Sequence, residues 1–295
     1  MTDVLAAAQS NIQADRGRSI SSMAPVTAGH YEVRLARSPE EIQLAQALRY
    51  RVMYAEKGGK PDLHKMKAKA DIDEWDARAH HIIVIDRRST STFVVGTLRL
   101  TSNFTLTPGQ TFYTEQAFDL TALRQHYCYL LELGRFCIDP AGRNGLILML
   151  IWKFAMTFIV TQGVDVMLGC ASFPGTDITV HRPVLSYLYK NNLAPEALMP
   201  KPIVEHVSIC NIALDQVDFD NATRNIPTLL KGYLKLGARV SDSAIIDEVF
   251  NTSFLCIYVD AAAMMAENTP LVSTKKTALN QRKPQDSAGS GAISC

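Results

Sequence analysis

The chain has 295 residues, 30 Lys and Arg against 29 Asp and Glu, and a formal net charge of +1. Hydrophobic residues make up 47% and charged residues 20%, an ordinary globular balance that supports a sizeable core. The near-neutral charge gives no ground for a nucleic-acid partner.

Met1 to Gly29 is small, polar and mixed, without the apolar run of a secretory signal, and is expected to be a flexible segment. Tyr31 to Ala36 alternates apolar and polar as a strand does. Ser38-Pro39-Glu40-Glu41 reads as a helix start, and that helix should run to about Ala55. Lys57 to Lys69 is basic and contains Gly, so a loop is expected. His81 to Asp86 and Phe93 to Thr101 are β-branched runs that suggest a hairpin. Tyr129 to Ile138 is another strand. Leu146 to Val160 is apolar all round, is too short to span a bilayer, carries Lys153 and ends at Gly163; it should be a buried helix. A strand (Val164 to Cys170), a helix (Val180 to Asn191), a strand (Val207 to Leu214), a helix (Ile226 to Leu236) and a strand (Phe254 to Val259) follow. The tail from Thr274 to Cys295 has a disordered composition. The order predicts an α/β fold, one mixed sheet with helices on both faces, in a domain over residues 30–262. With no membrane-spanning run the protein is expected to be cytoplasmic.

Two local features bear on chemistry. Asp139-Pro140-Ala141-Gly142-Arg143-Asn144-Gly145 opens directly into a helix, whose first N–H groups and dipole favour an anion. Arg143, Asn144 and Gly145 are therefore candidate phosphate ligands, although a plain connection would use the same residues. The six cysteines, Cys128, Cys137, Cys170, Cys210, Cys256 and Cys295, form no C-x-x-C pair and sit at no zinc spacing with His. No metal site is expected, and the thiols should be reduced.

Several segments carry a resemblance. Leu131-Glu132-Leu133-Gly134-Arg135-Phe136, Asp73-Glu74-Trp75-Asp76 before His80-His81, Leu48-Arg49-Tyr50-Arg51, and Gly96-Thr97-Leu98-Arg99-Leu100 resemble motifs shared by acyl-homoserine-lactone synthases and ornithine N-acyltransferases. Gly169 to Thr176 and Leu230 to Ala238, followed by Asp247 and Phe250, resemble the ornithine enzymes and lie where the lactone synthases are shorter. The resemblance implies a GNAT-like mixed twisted sheet. It implies transfer of a 3-hydroxyacyl group from acyl carrier protein to L-ornithine, giving lyso-ornithine lipid. No bound cofactor is then expected, and the acyl-phosphopantetheine of the carrier is a co-substrate. An acyltransferase for another amino acid, a lactone-type synthase and a non-catalytic acyl-carrier-binding or lipid-binding module remain alternatives.

Direct transfer needs a base for the ammonium and donors for the thioester carbonyl. Glu132, in an otherwise apolar strand, is the expected general base, with Arg135 beside it. Residues 132 and 135 lie on opposite faces of a regular strand, so both can serve one site only if the strand bulges, and Gly134 could provide that. Arg49 and Arg99 are expected to bind the ornithine carboxylate or to hold the site together. Asp73 and Asp76 would orient those arginines or grip the ornithine side-chain ammonium. Ser172 is placed in a substrate-lining loop, His181 could approach the amine, and Cys170 reads as a core residue. One or two of Met149, Trp152, Phe154, Met156 and Phe158 could line an acyl slot. Lys57, Lys60, Lys65, Lys67 and Lys69 form a basic stretch suited to an acidic carrier protein, and it could also touch an anionic membrane surface, which would make the protein peripheral to the inner membrane.

Overall fold

The computed structural model describes residues 20, 23–88, 93–143, 145–212 and 218–267. The predicted tail from Thr274 lies outside these residues. So does the predicted flexible segment, apart from residues 20 and 23–29.

In chain order the elements are β1 (Val26–Ala28), β2 (Tyr31–Leu35), α1 (Pro39–Tyr50) with a π-helical turn at Arg51–Glu56, α2 (Leu63–Ala68), β3 (His80–Asp86) and β4 (Val94–Ser102). Then come β5 (Phe118–Asp119), α3 (Thr121–His126), β6 (Leu130–Ile138), α4 (Leu146–Gln162), β7 (Val166–Pro174) and α5 (Arg182–Asn191). The last group is β8 (Lys201–Pro202), β9 (Val207–Ser208), α6 (Ile209–Ile212), α7 (Phe219–Asn225), α8 (Thr228–Lys235), β10 (Arg239–Asp247), β11 (Thr252–Asp260) and α9 (Ala261–Glu267). The main sheet has the order β1-β2-β3-β4-β6-β7-β11-β10-β9. Its pairs are antiparallel except β6 with β7.

Period-2 alternation sorts the side chains onto two faces. Ile82, Val84, Leu100, Leu131 and Leu133 face α4, whose Ile147, Leu150, Ile151, Phe154 and Phe158 fill that side of the core. Ile83, Ile85, Val94 and Cys137 face α1, packing on Ala45, Leu48 and Val52. Farther along the same second face, Leu130, Val166, Leu168, Phe254 and Cys256 are covered by Phe112, Phe118 and Leu123. The predicted mixed sheet with helices on both faces is therefore the fold. The α1 cap is as expected: Ser38 Oγ accepts from Glu41 N–H, with Pro39 at the first helical position.

Four expectations change. The helix from Pro39 leaves α geometry at Tyr50 and ends in a π turn, a local rearrangement that apolar periodicity does not reveal. The Lys57–Lys69 loop contains α2, because Asp62 accepts from Lys65 N–H at 2.8 Å and caps a short helix that the lysine-rich composition hides. Of the predicted Val207–Leu214 strand, residues 207–212 are described, and only Val207–Ser208 is strand. It pairs with β10, and the chain then coils so that Ile209 enters the core. The Val164–Cys170 strand instead runs to Pro174, since β11 pairs with it along that whole length.

His80 and His81 take opposite faces. The His80 ring lies 5.8 Å from that of Phe158, and His81 Nε2 lies 3.0 Å from the Asp76 carbonyl. Burial lowers both imidazoles below their ordinary value, in His81 against the opposing pull of Asp76. Both therefore hold a proton less readily when folded than when unfolded, where the imidazole titrates at about pH 6.5. Stability should therefore fall as pH drops through that value, and His80→Gln should flatten part of the slope in urea midpoints measured between pH 7.5 and 5.5.

Candidate active site

β6 is where the sheet is interrupted. Its parallel pairing with β7 covers only Leu130↔Val166, Leu131↔Met167 and Glu132↔Leu168. Past Glu132 no further pair forms, although both strands continue. At the fork the chains come close: a Cβ on Gly169 would lie 2.5 Å from the Leu133 carbonyl oxygen, which is why glycine stands there. On its other side β6 slips register against β4 between Thr97↔Cys137 and Arg99↔Gly134, so Arg135 and Phe136 together oppose Leu98. Arg135 has φ +54°, the left-handed conformation of a bulge residue. The distortion that would let residues 132 and 135 share a site is present, and the unusual backbone falls on Arg135 itself rather than on Gly134.

A cavity of about 1030 Å³ opens at this fork. Glu132, Arg135, Arg99, Ser172, Cys170, His181, Arg143 and Gly145 line it. Leu148, Val184, Leu229, Leu230 and Tyr233 supply an apolar wall.

Glu132 is buried on its floor. Oε1 accepts from Thr114 N–H (2.7 Å) and Thr114 Oγ1–H (2.6 Å), and Oε2 accepts from Tyr113 N–H (3.0 Å). Both acceptor sites of Oε1 are thus filled, and Oε2 keeps one. Among the described residues no arginine pairs with Glu132.

The arginines serve a different set of acids. Arg49 forks onto Asp76 with bonds of 2.9 and 2.7 Å, also donates to the Asp71 carbonyl, and lies 2.9 Å from the Asp71 carboxylate. Arg99 Nη1 bridges Asp73 and Asp76. Arg135 gives Nε to Asp71 at 2.9 Å and Nη2 to Asp73 at 2.8 Å. Its guanidinium is also sandwiched between the rings of Tyr113 (4.6 Å) and Phe250 (4.7 Å). Burial alone would raise the Asp71 and Asp76 carboxyls. The facing arginines, Arg135 and Arg49 at Asp71 and Arg49 and Arg99 at Asp76, instead hold both below the usual carboxylate range.

These positions revise the predicted roles. Arg49 is fully buried and, like Asp76, does not line the cavity, so both hold the site together and cannot grip substrate directly. Asp73 pairs with Arg99 and Arg135 and does not line the cavity, so it is not placed to meet a substrate ammonium. Ser172 lines the cavity from a strand, not a loop. His181 reaches the wall, with Nε2 2.9 Å from the Pro174 carbonyl. Burial pushes the Cys170 thiol up to about 12, so it stays protonated and is no nucleophile. Of helix α4, Leu148 lines the cavity. Phe154 and Phe158 are core, Met149 is exposed, and Trp152 packs edge-on against Tyr233 at 4.9 Å.

At the cavity mouth Gly145 starts α4 with φ +85° and no side-chain cap. Met149 N–H bonds the Gly145 carbonyl at 3.0 Å. Arg143 already forks onto Glu56 at 2.5 and 2.7 Å. Asn144 lies outside the described residues. Sequence reasoning missed Asp71, which stands two before Asp73, and also Tyr113 and Thr114, for which no local pattern gives a signal. Among the described residues no group of three or more His, Cys, Asp or Glu is placed to hold a metal ion, and no helix is long and apolar enough to cross a membrane.

A family model described as an acetyltransferase (GNAT) domain matches residues 48–153, which include Glu132, Arg135 and the loop into α4. The fold and this site define a GNAT-class acyltransferase. The chain is 33% identical over 237 residues to the L-ornithine Nα-acyltransferase of Rhodobacter capsulatus, covering 79% of this chain and 91% of that one. It is 32% identical over 244 residues to that of Agrobacterium fabrum, covering 80% and 83%. It belongs to the L-ornithine Nα-acyltransferase family. Among solved structures it is similar to an N-acyl amino acid synthase from uncultured soil microbes (12% identity, 82% and 95% covered, TM-score 0.42). It is also similar to an acyl-homoserine-lactone synthase (12% identity, 86% and 100% covered, TM-score 0.43).

Removing one member of the buried network strands its partners. Arg49→Met should cost about 3–5 kcal/mol, because Asp71 and Asp76 lose a buried counter-charge. Chemical denaturation of wild type and variant measures it, and a loss well under 1 kcal/mol would show that the network does not hold the site.

Proposed function

We propose that the protein transfers a 3-hydroxyacyl group from the phosphopantetheine thioester of acyl carrier protein to the α-amine of L-ornithine, giving lyso-ornithine lipid. Transfer is direct, with Glu132 as general base. The observation that carries this reading is the forked strand pair with Glu132 on the cavity floor, in a chain of the ornithine acyltransferase family.

The fork offers an extended arm a path between β6 and β7, where the strands no longer bond each other. The uncapped start of α4, with Arg143 beside it, suits the arm's phosphate. Arg143 would share its guanidinium between that phosphate and Glu56. The wall from Leu148, Val184, Leu229 and Leu230 suits an acyl chain. Glu132 Oε2, with one acceptor site left, takes a proton from the ornithine ammonium directly or through one water. The freed amine attacks the thioester carbon, the C–N bond forms, the C–S bond breaks, and the second proton shed by the attacking nitrogen passes to the leaving sulfur to give the carrier thiol.

Carrier docking rests on the basic surface beside the mouth. Lys57 lines the cavity, whereas Lys60 and Lys65 are paired with Glu248 and Asp62. Leu63 and Met66 on α2 are exposed beside Lys67, which supports contact with an anionic membrane surface as well.

Glu132→Gln should lower kcat by at least about 100-fold. The assay is product formation from 3-hydroxyacyl carrier protein and a panel of amino acids, read by mass spectrometry, with circular dichroism to check the fold. Full activity in the variant would sink the general-base assignment. The double variant Lys57→Glu/Lys67→Glu should raise KM for the acyl carrier and weaken co-sedimentation with phosphatidylglycerol vesicles, both more strongly at low salt. If neither changes, the docking surface lies elsewhere.

A further inference from the structure

A diamino acid brings a second ammonium into the site. Leaving that charge unpaired away from water is costly, so a carboxylate should meet it. The acids expected to do so, Asp73 and Asp76, are committed to Arg49, Arg99 and Arg135. Glu56 is committed to Arg143, and Glu248 to Lys60. Among the described residues only two acids line the cavity, Glu132 and Asp247.

Asp247 is the last residue of β10 and pairs with Thr252 of β11, which in turn pairs with Pro174 of β7. Pro174, Ser172 and Cys170 alternate along β7 with Leu168, the partner of Glu132. Asp247 therefore presents to the same face of the sheet as Glu132. Its Oδ1 accepts from Val249 N–H and Phe250 N–H, both at 2.9 Å. Its Oδ2 has no hydrogen-bond or ion-pair partner among the described residues. The two carboxylates flank one stacked unit: Phe250, held by Asp247, covers one side of the Arg135 guanidinium. Tyr113, whose N–H holds Glu132, covers the other.

Resting on the ornithine reading above, we propose that Asp247 Oδ2 holds the side-chain ammonium of the acceptor amino acid and so sets the preference for a diamino acid. Glu132 serves the reacting amine and Asp247 the distal one. The carboxylate of the acceptor then lies toward Arg135, whose Nη1 carries no carboxylate.

The test compares ornithine with norvaline, which has the same carbon chain without the distal amine, in wild type and Asp247→Asn. Asparagine keeps an Oδ1 that can accept the Val249 and Phe250 N–H groups, so the turn is preserved. The ratio of kcat/KM for ornithine over norvaline should fall by about 30-fold or more, carried mainly by KM for ornithine. A ratio unchanged within threefold overturns the assignment, including the case where both substrates decline together, as a purely structural role would give. If wild type prefers ornithine and the ratio does not move, only the Asp247 role fails. If wild type ignores ornithine but acylates another diamino acid, and Asp247→Asn abolishes that preference, the assignment stands and the ornithine reading fails. Wild type that favours norvaline over every diamino acid overturns both.

Discussion

Three guanidinium groups and three carboxylates are held together on one face of the sheet, and neither set can be there without the other. Burying a single unpaired charge costs several kcal/mol. Arg49, Arg99 and Arg135 balance Asp71, Asp73 and Asp76 one for one, and Tyr54 and Gln46 satisfy remaining carboxylate oxygens. The network ties α1, β4 and β6 to the segment before β3. It also holds Arg135 in a left-handed backbone conformation that costs on the order of 1–3 kcal/mol for a residue with a side chain. Two ion pairs and two ring faces offset that cost. The bulge they fix lies in the part of β6 that has left β7, and the cavity opens between the two strands. The shape of the site is thus set by residues most of which do not touch its contents.

Glu132 shares no hydrogen bond or ion pair with this network among the described residues. Its donors are two backbone N–H groups and one hydroxyl, all neutral, so its negative charge is cradled but not cancelled. Glu132 Oε2 keeps one acceptor position to offer on the cavity floor. The division separates acids that build the site from the acid proposed to act in it.

Much of this was legible beforehand because strand alternation is a strict rule. Glu132 and Arg135 could not share a regular strand face, so a site served by both required a bulge. It could not say that Arg135, rather than Gly134, would take the left-handed conformation, because that depends on Asp71, Tyr113 and Phe250 arriving from elsewhere. The pairing of Asp73 and Asp76 with arginines was one of two open readings, and nothing local could decide between them. Tyr113 and Thr114 had no signal at all: their contribution is backbone N–H direction, which any residue could supply. Helix α2 was hidden for a plainer reason, since a six-residue helix held by one aspartate cap has too few turns to show apolar periodicity.

The cavity is assembled from two parts of the chain with different tasks. Residues 48–153, the part shared with GNAT domains in general, hold the arginine–aspartate network, Glu132, the bulge and the uncapped helix start. In the proposed reaction these supply the base, the phosphate site and the frame that holds them. The part beyond supplies Leu229, Leu230 and Tyr233 on α8 and Asp247 at the end of β10. None of these is needed to make an amine react. They bound the space in which an acyl chain and an acceptor side chain must fit. Phe250 joins the parts, since it closes over Arg135 while its N–H fixes Asp247. On the proposed roles, a change in the later segment alters which amine is chosen without disturbing the base, whereas a change in the network alters both.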